Sequence, residues 1–275
     1  MRRILGLGLA LLGLAAPARA QDALDALASR ASCLIEANRI IKLSMPTQGT
    51  LSRVLVRRGD RVATGQVLAE LEADVERAMY EAAKLRAAST AIIAARRSEL
   101  TNAENKLNRV RPLVQREISS RQQLEDAQTA LDLAAAALEQ AQLDRQLAVF
   151  EAERLRATLQ RRQATSPVDG VVTKVDLHPG EYADTAVAVM TIAEIRPLRV
   201  EVYLPLQAYP LVRAGMRAEI RPQEPVGAVQ IAEVVTRDPL IDSASGLFQL
   251  LLLLPNRDES IPSGLRCQIR FLPEG

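Results

Sequence analysis

Rings and metal-ligating side chains are scarce in this chain. Its 275 residues include no Trp, three Phe, four Tyr, one His and two Cys. A structural or catalytic zinc needs three or four such ligands, so a His/Cys metal centre is almost excluded. The 48% of apolar residues must build a core from Val, Leu, Ile and Ala, which suits slim helices and small β-modules better than a deep ligand pocket. Charge is nearly balanced, 35 basic against 33 acidic residues, so no field favours nucleic acid. The lone His178 stands in the turn Leu177-His178-Pro179-Gly180 with no Ser or Cys nucleophile motif beside it, and reads as a surface residue. Apart from Met1, the methionines at 45, 79, 190 and 216 lack the paired spacing of a soft-metal site. The expectation is a protein with no catalytic residues, no metal and no cofactor.

The amino terminus has the three parts of a secretory signal. Arg2 and Arg3 precede an uncharged run from Ile4 to Ala16, and Ala18-Arg19-Ala20 offers a cleavage site before Gln21. That run is short for a membrane span, and no later segment reaches about 18 uncharged apolar residues. Cys33 lies too far from the apolar run to be a lipoprotein cysteine. The mature chain is expected to be exported and soluble.

Between Ala73 and Gln160 there is no Gly and a single Pro, Pro112, while 20 of the 88 residues are Ala. Such composition favours long solvated helix. Met79, Ile93, Leu100, Leu107 and Val114 share one seven-residue register, with Val75, Ala82, Ala103 and Val110 beside them. Beyond Pro112, Leu124, Leu131 and Leu138 repeat by seven, flanked by Ala127, Ala134 and Ala141. Pro112 to Ser120 is expected to break the helix, since proline removes a backbone donor and Ser119 or Ser120 can cap the second arm. Two arms of about forty residues, roughly 60 Å each, would then form an antiparallel coiled-coil hairpin. One continuous helix in a parallel dimer is the alternative.

The flanks of this insert resemble each other. Met45-Pro46-Thr47-Gln48-Gly49 begins a run of short strands and Gly turns, and so does Ser166-Pro167-Val168-Asp169-Gly170. Two halves, each too small to bury a core, can close into one flattened β-sandwich. From Pro197 to Leu272, short strands at regular spacing suggest a small barrel, which Cys33 to Leu43 would complete. The fold class is thus α+β and elongated. The expected boundaries are a signal at 1–20, a linker at 21–32, a barrel at 33–43 with 197–272, a sandwich at 44–72 with 161–196, and a helical insert at 73–160. Cys33 and Cys267 both fall in the barrel, where export to an oxidising compartment favours a bridge; two buried thiols are the other reading.

This arrangement resembles the periplasmic adaptor, or membrane-fusion, family (HlyD-like) of Gram-negative efflux and type I secretion systems, over nearly all of the mature chain. The resemblance rests on the split lipoyl-like repeat, on the hairpin tip, and on the barrel segment Asp242 to Phe248 with Asn256 and Gly264. In that family the tip carries Arg, three residues, Leu, six residues, then Ser or Thr, and Arg109, Leu113 and Ser120 match it. It implies a non-catalytic adaptor, associated with the inner membrane through its transporter. That partner is an inner-membrane transporter of RND or ABC type, joined to a TolC-type outer-membrane channel. It also implies self-association into a ring of about six copies. The tip residues would bind the channel. The sequence departs from that family in reaching Gly275 right after the barrel, so the extra membrane-proximal domain of many resistance-pump adaptors is expected to be absent.

Two other readings compete. A lipoyl or biotin carrier needs a Lys at the turn joining the sandwich halves, yet Glu72-Ala73-Asp74 is followed by Val75. An envelope scaffold with no transport role, using the coiled coil as a spacer, would share every feature except the partner at the tip and the oligomeric ring.

Overall fold

The computed structural model describes residues 23–273, so the expected signal at 1–20 lies outside the described residues. It is an elongated α+β fold with β-rich parts. The described strands are β1 (Ser32–Ser44), β2 (Gly49–Val54), β3 (Arg61–Val62), β4 (Val67–Leu71), β5 (Gln163–Thr165), β6 (Gly170–Val175), β7 (Tyr182–Ala183), β8 (Ala188–Pro205), β9 (Arg217–Pro222), β10 (Gln230–Asp242), β11 (Leu247–Leu254) and β12 (Leu265–Phe271). Helix α1 covers residues 23–28, and α2 (Asp74–Ala88), α3 (Ala91–Gln115) and α4 (Arg121–Gln160) lie between β4 and β5.

The repeat seen in the sequence becomes a pseudo-two-fold sandwich. β2 maps onto β6 and β3 onto β7 at one offset of 121 residues, with the same burial pattern in each pair. Hydrogen bonds obey the same offset: Leu51 N–H donates to Glu181 O, and its counterpart Val172 N–H donates to Asp60 O. One sheet runs β5-β4-β2-β7 and the other β1-β8-β6-β3, so each half contributes two strands to each layer. Neither half can bury an apolar face alone. Together they enclose Leu51, Leu68, Leu71, Val172, Met190 and Ile192, all nearly free of solvent.

β1 and β8 then run on, paired to each other, into a second core. With β12, β9, β10 and β11 they close a six-stranded barrel in the order β1-β12-β9-β10-β11-β8-β1. Alternate residues Leu198, Val200, Val202 and Leu204 of β8 face its interior, as a period of two requires. The expected barrel segment 33–43 is therefore divided. Cys33, Ile35 and Ala37 are buried on the barrel side, while Ile41 and Leu43 pack on the sandwich core. The register shift between Ala37 and Arg39 separates the two parts. The segment expected as a linker, 21–32, contains α1, whose Leu24 and Ala28 join the barrel core. Two apolar residues four apart on one helical face give a short helix a reason to dock.

In the helical insert, α4 runs antiparallel to α2 and α3. Near its end Arg162 pairs with Glu76 at the start of α2, and Arg145 Nε donates to Ala87 O at 3.3 Å further along. The continuous-helix alternative is excluded by the turn at 116–120. The first arm differs from expectation in two ways. Pro112 lies inside α3, which continues to Gln115: the helix gives up one backbone donor there, while the Pro112 carbonyl still accepts the Arg116 N–H at 3.2 Å. The two arms part at 116–120, within the expected 112–120, and a further break, inside the arm, comes at Ser89 and Thr90, where Ser89 adopts an extended conformation. Side-chain oxygens that compete for backbone partners, and a β-branched residue, disfavour helix there. The break changes the inward face of α2. Val75 and Met79, expected on the seam, are 63% and 53% exposed, and Glu76, Tyr80, Ala83 and Ala87 face inward instead. Beyond the break Leu107 is buried, and the buried residues of α4 are the small Ala127, Ala141 and Ala152.

Candidate functional site: the turn between α3 and α4

The insert leaves the sandwich after β4 and returns at β5, so its far end is the five-residue turn 116–120. α3 ends in a Schellman motif. Ile118 N–H donates to Leu113 O at 2.9 Å and Glu117 N–H to Val114 O at 3.0 Å, with Glu117 left-handed at φ 59°. That conformation suits Gly, and Glu117 is one of two non-glycine residues found there among the described residues. α4 starts at once: Ser120 has extended backbone and its Oγ accepts the Gln123 N–H at 3.2 Å, an N-cap. Ser119 donates from its hydroxyl to the Gln123 side-chain oxygen.

Arg109 and Leu113 lie one turn apart on α3, both exposed and off the seam of buried Leu107 and half-buried Val110 and Val114. Leu113 is 39% exposed and Ile118 69%. Near them in sequence are Arg109, Arg111, Arg116 and Arg121, none with a carboxylate partner among the described residues, whereas Arg96, Arg154 and Arg156 further down the helices each pair with a Glu. The end of the insert thus carries two exposed apolar side chains and four guanidinium groups with no carboxylate partner among the described residues. Of the three expected residues, Arg109 and Leu113 are available to a partner, and Ser120 is committed to starting α4. Sequence reasoning missed Ile118 and Glu117. An isolated Ile between charged residues and two serines carried a signal; a Glu in a left-handed position carried none.

The other expected sites are placed as follows. Cys33 and Cys267 form a disulfide with Cα atoms 4.9 Å apart. Val75, at the position where a carrier needs its Lys, sits exposed in the first turn of α2. His178 is exposed in the turn before β7, 3.8 Å from Glu181. Asn256 is buried in the barrel and fully engaged: its amide nitrogen donates to Ile195 O and Ile261 O, and its oxygen accepts the Ile261 N–H. No helix among the described residues is long and apolar enough to cross a membrane.

The family described as biotin-requiring enzyme matches residues 41–76, the first half of the sandwich. A protein described as "UPF0194 membrane protein in asrC 5'region" of Acidithiobacillus ferridurans is 30% identical, over 66% of this chain and 65% of its own length. An uncharacterized protein of Haemophilus influenzae is 24% identical over 86% of this chain and 56% of its own. The chain therefore spans a little over half to two thirds of these relatives. Among solved structures, MacA from Actinobacillus actinomycetemcomitans superposes with a TM-score of 0.71 at 20% identity, covering 88% of this chain and 78% of that one. The membrane fusion protein Spr0693 from Streptococcus pneumoniae gives 0.56 at 15% identity, covering 89% and 98%. The fold is that of the membrane fusion proteins. With the lipoyl-type match it supports the periplasmic adaptor, HlyD-like, family that the sequence resembles.

Proposed function

We propose that this chain is a non-catalytic adaptor subunit of a tripartite efflux or secretion system. It is exported to the periplasm by a cleaved signal peptide and associates with the inner membrane through its transporter. Its barrel engages that transporter, of RND or ABC type, and its coiled-coil tip engages a TolC-type outer-membrane channel. The observation that carries the reading is the tip. A helical pair spanning roughly 60 Å at 1.5 Å per residue ends in exposed Leu113 and Ile118, with nearby guanidinium groups that have no carboxylate partner among the described residues. Desolvated guanidinium groups bind carbonyls and carboxylates strongly, and the apolar pair supplies the anchor. The helices also expose Leu85, Ile92, Leu147 and Phe150 along their length. A side-to-side contact between copies would cover them, and if it closes on itself it makes a ring, of about six copies by family resemblance.

The test places a photo-crosslinking residue at Leu113 in a Gram-negative host. Adducts with an outer-membrane channel are expected there, and adducts between copies of the chain at Leu85. Arg109→Glu and Leu113→Asp should abolish export while leaving abundance unchanged. No channel adduct, together with wild-type export by both variants, would leave the envelope-scaffold reading standing.

A further inference from the structure

The six seams of the barrel are unequal. β1 pairs β8 from Ser32 to Ser44, and β11 pairs β8 from Leu247 to Leu254. The closing seam between β1 and β12 has a register spanning only Leu34 and Ile35 against Leu265 and Arg266. One further bond extends it, from Gly264 N–H to Ile35 O at 2.7 Å. Gly264 makes that bond at φ 94°, where a side chain would be strained. Continuing the register one step places Cys33 opposite Cys267, and there the disulfide lies. The bridge therefore sits on the barrel's shortest seam, and β1 beyond it is the strand that continues into the sandwich.

We propose that this disulfide is a redox-addressable lock on the β1–β12 seam, and that thiol–disulfide exchange opens the barrel there and nowhere else. Cys33 is buried and Cys267 is half-buried, which directs an incoming thiolate to Cys267 Sγ. The attack forms a mixed disulfide and expels the Cys33 thiolate, which takes up a proton. A second thiol of the same dithiol reductant then attacks the mixed disulfide and releases Cys267 as a thiol. Two electrons and two protons pass to the protein, and the reductant leaves as a disulfide. Without the bridge, two paired residues per strand hold β12 to β1, while β12 keeps β9 and β1 keeps β8. Opening frees one edge of each strand and loosens α1, which is tethered to β1 at Ser32 and packed in the same core. The reverse reaction, with a disulfide oxidant of the exported compartment accepting the two electrons, closes the barrel. A cytoplasmic, reduced chain would then carry an open seam until it is exported.

Amide hydrogen exchange on the whole mature protein, with and without tris(carboxyethyl)phosphine, tests this. Peptides covering 32–36 and 264–271 should exchange at least tenfold faster when reduced. Those covering 198–204, 247–254 and α4 should keep their rates. Unchanged protection at the seam would mean that the bridge locks nothing. Equal acceleration across all six strands would mean that the barrel unfolds as a whole. Either result overturns the proposal. Iodoacetamide labelling of the reduced protein gives a second readout, in which Cys267 should react at least tenfold faster than Cys33; the opposite order would refute the assigned point of attack.

Discussion

Truncating Leu107 and Met79 separately distinguishes the tertiary register of the helices from the one that the heptads suggest. The heptads put both residues on one seam, yet Leu107 is 3% exposed and Met79 53%. Leu107→Ala removes three carbons from water-excluded contact with α4, about 2.4 kcal/mol at about 0.8 kcal/mol per methylene. A cavity term normally adds to this. On a two-helix pair open to solvent the void can collapse, so the total belongs at the low end of the usual range, about 2–3 kcal/mol. The better helix propensity of Ala returns a few tenths. Met79→Ala should stay within about 0.5 kcal/mol, as for surface changes generally. Urea unfolding followed by circular dichroism at 222 nm reads the helices directly. Leu107→Ala should lower their midpoint by roughly 1 M, with Met79→Ala indistinguishable from the parent. Equal losses from the two variants would refute the break at Ser89–Thr90 and the rotated face of α2.

Glu117→Gly should stabilise the helical pair by about 0.5–1 kcal/mol, because the left-handed penalty of an L-residue exceeds the entropy that Gly costs; a lower helix melting temperature would contradict the Schellman geometry. Gly170→Ala should destabilise the sandwich by about 1–3 kcal/mol, since a Cβ there would lie 2.5 Å from Ala193 O, and a neutral result in a thermal melt would deny that close approach. Glu194 has its pKa held below the ordinary glutamate value, chiefly by the Arg39 guanidinium, helped by the Asn38 amide at 2.8 Å and opposed by burial. A depressed folded pKa means that this group's contribution is whole above the unfolded value near 4.5 and is lost as the pH falls through the folded one. Denaturant titrations below about pH 4.5 should therefore show a shallower acid loss in Glu194→Gln than in the parent, and parallel curves would show that the pair is thermodynamically silent.

Much of this fold could be read from the chain because it is written in local periodicity. The absence of Gly over 73–160 and the seven-residue spacing from Ile93 to Val114 and from Leu124 to Ala141 set the long helices, since backbone propensity and one apolar stripe suffice. The paired Pro-x-x-Gly starts at Pro46 and Pro167 likewise announced two similar halves. Tertiary structure decided what depends on partners distant in sequence. The halves interleave two strands into each layer because only across the pseudo-two-fold does each find its apolar complement. β1 serves two cores because β8 runs beside it past the shift at Ala37 and Arg39. The face that α2 turns inward depends on one local break, which rotates every residue before it, and no heptad count can register that rotation. At the tip, residue types marked Arg109 and Leu113 as available. Only the backbone showed Ser120 spent on capping α4 and Ile118 brought out beside Leu113, because a turn's dihedrals are set by how two helices meet and not by the spacing along either one.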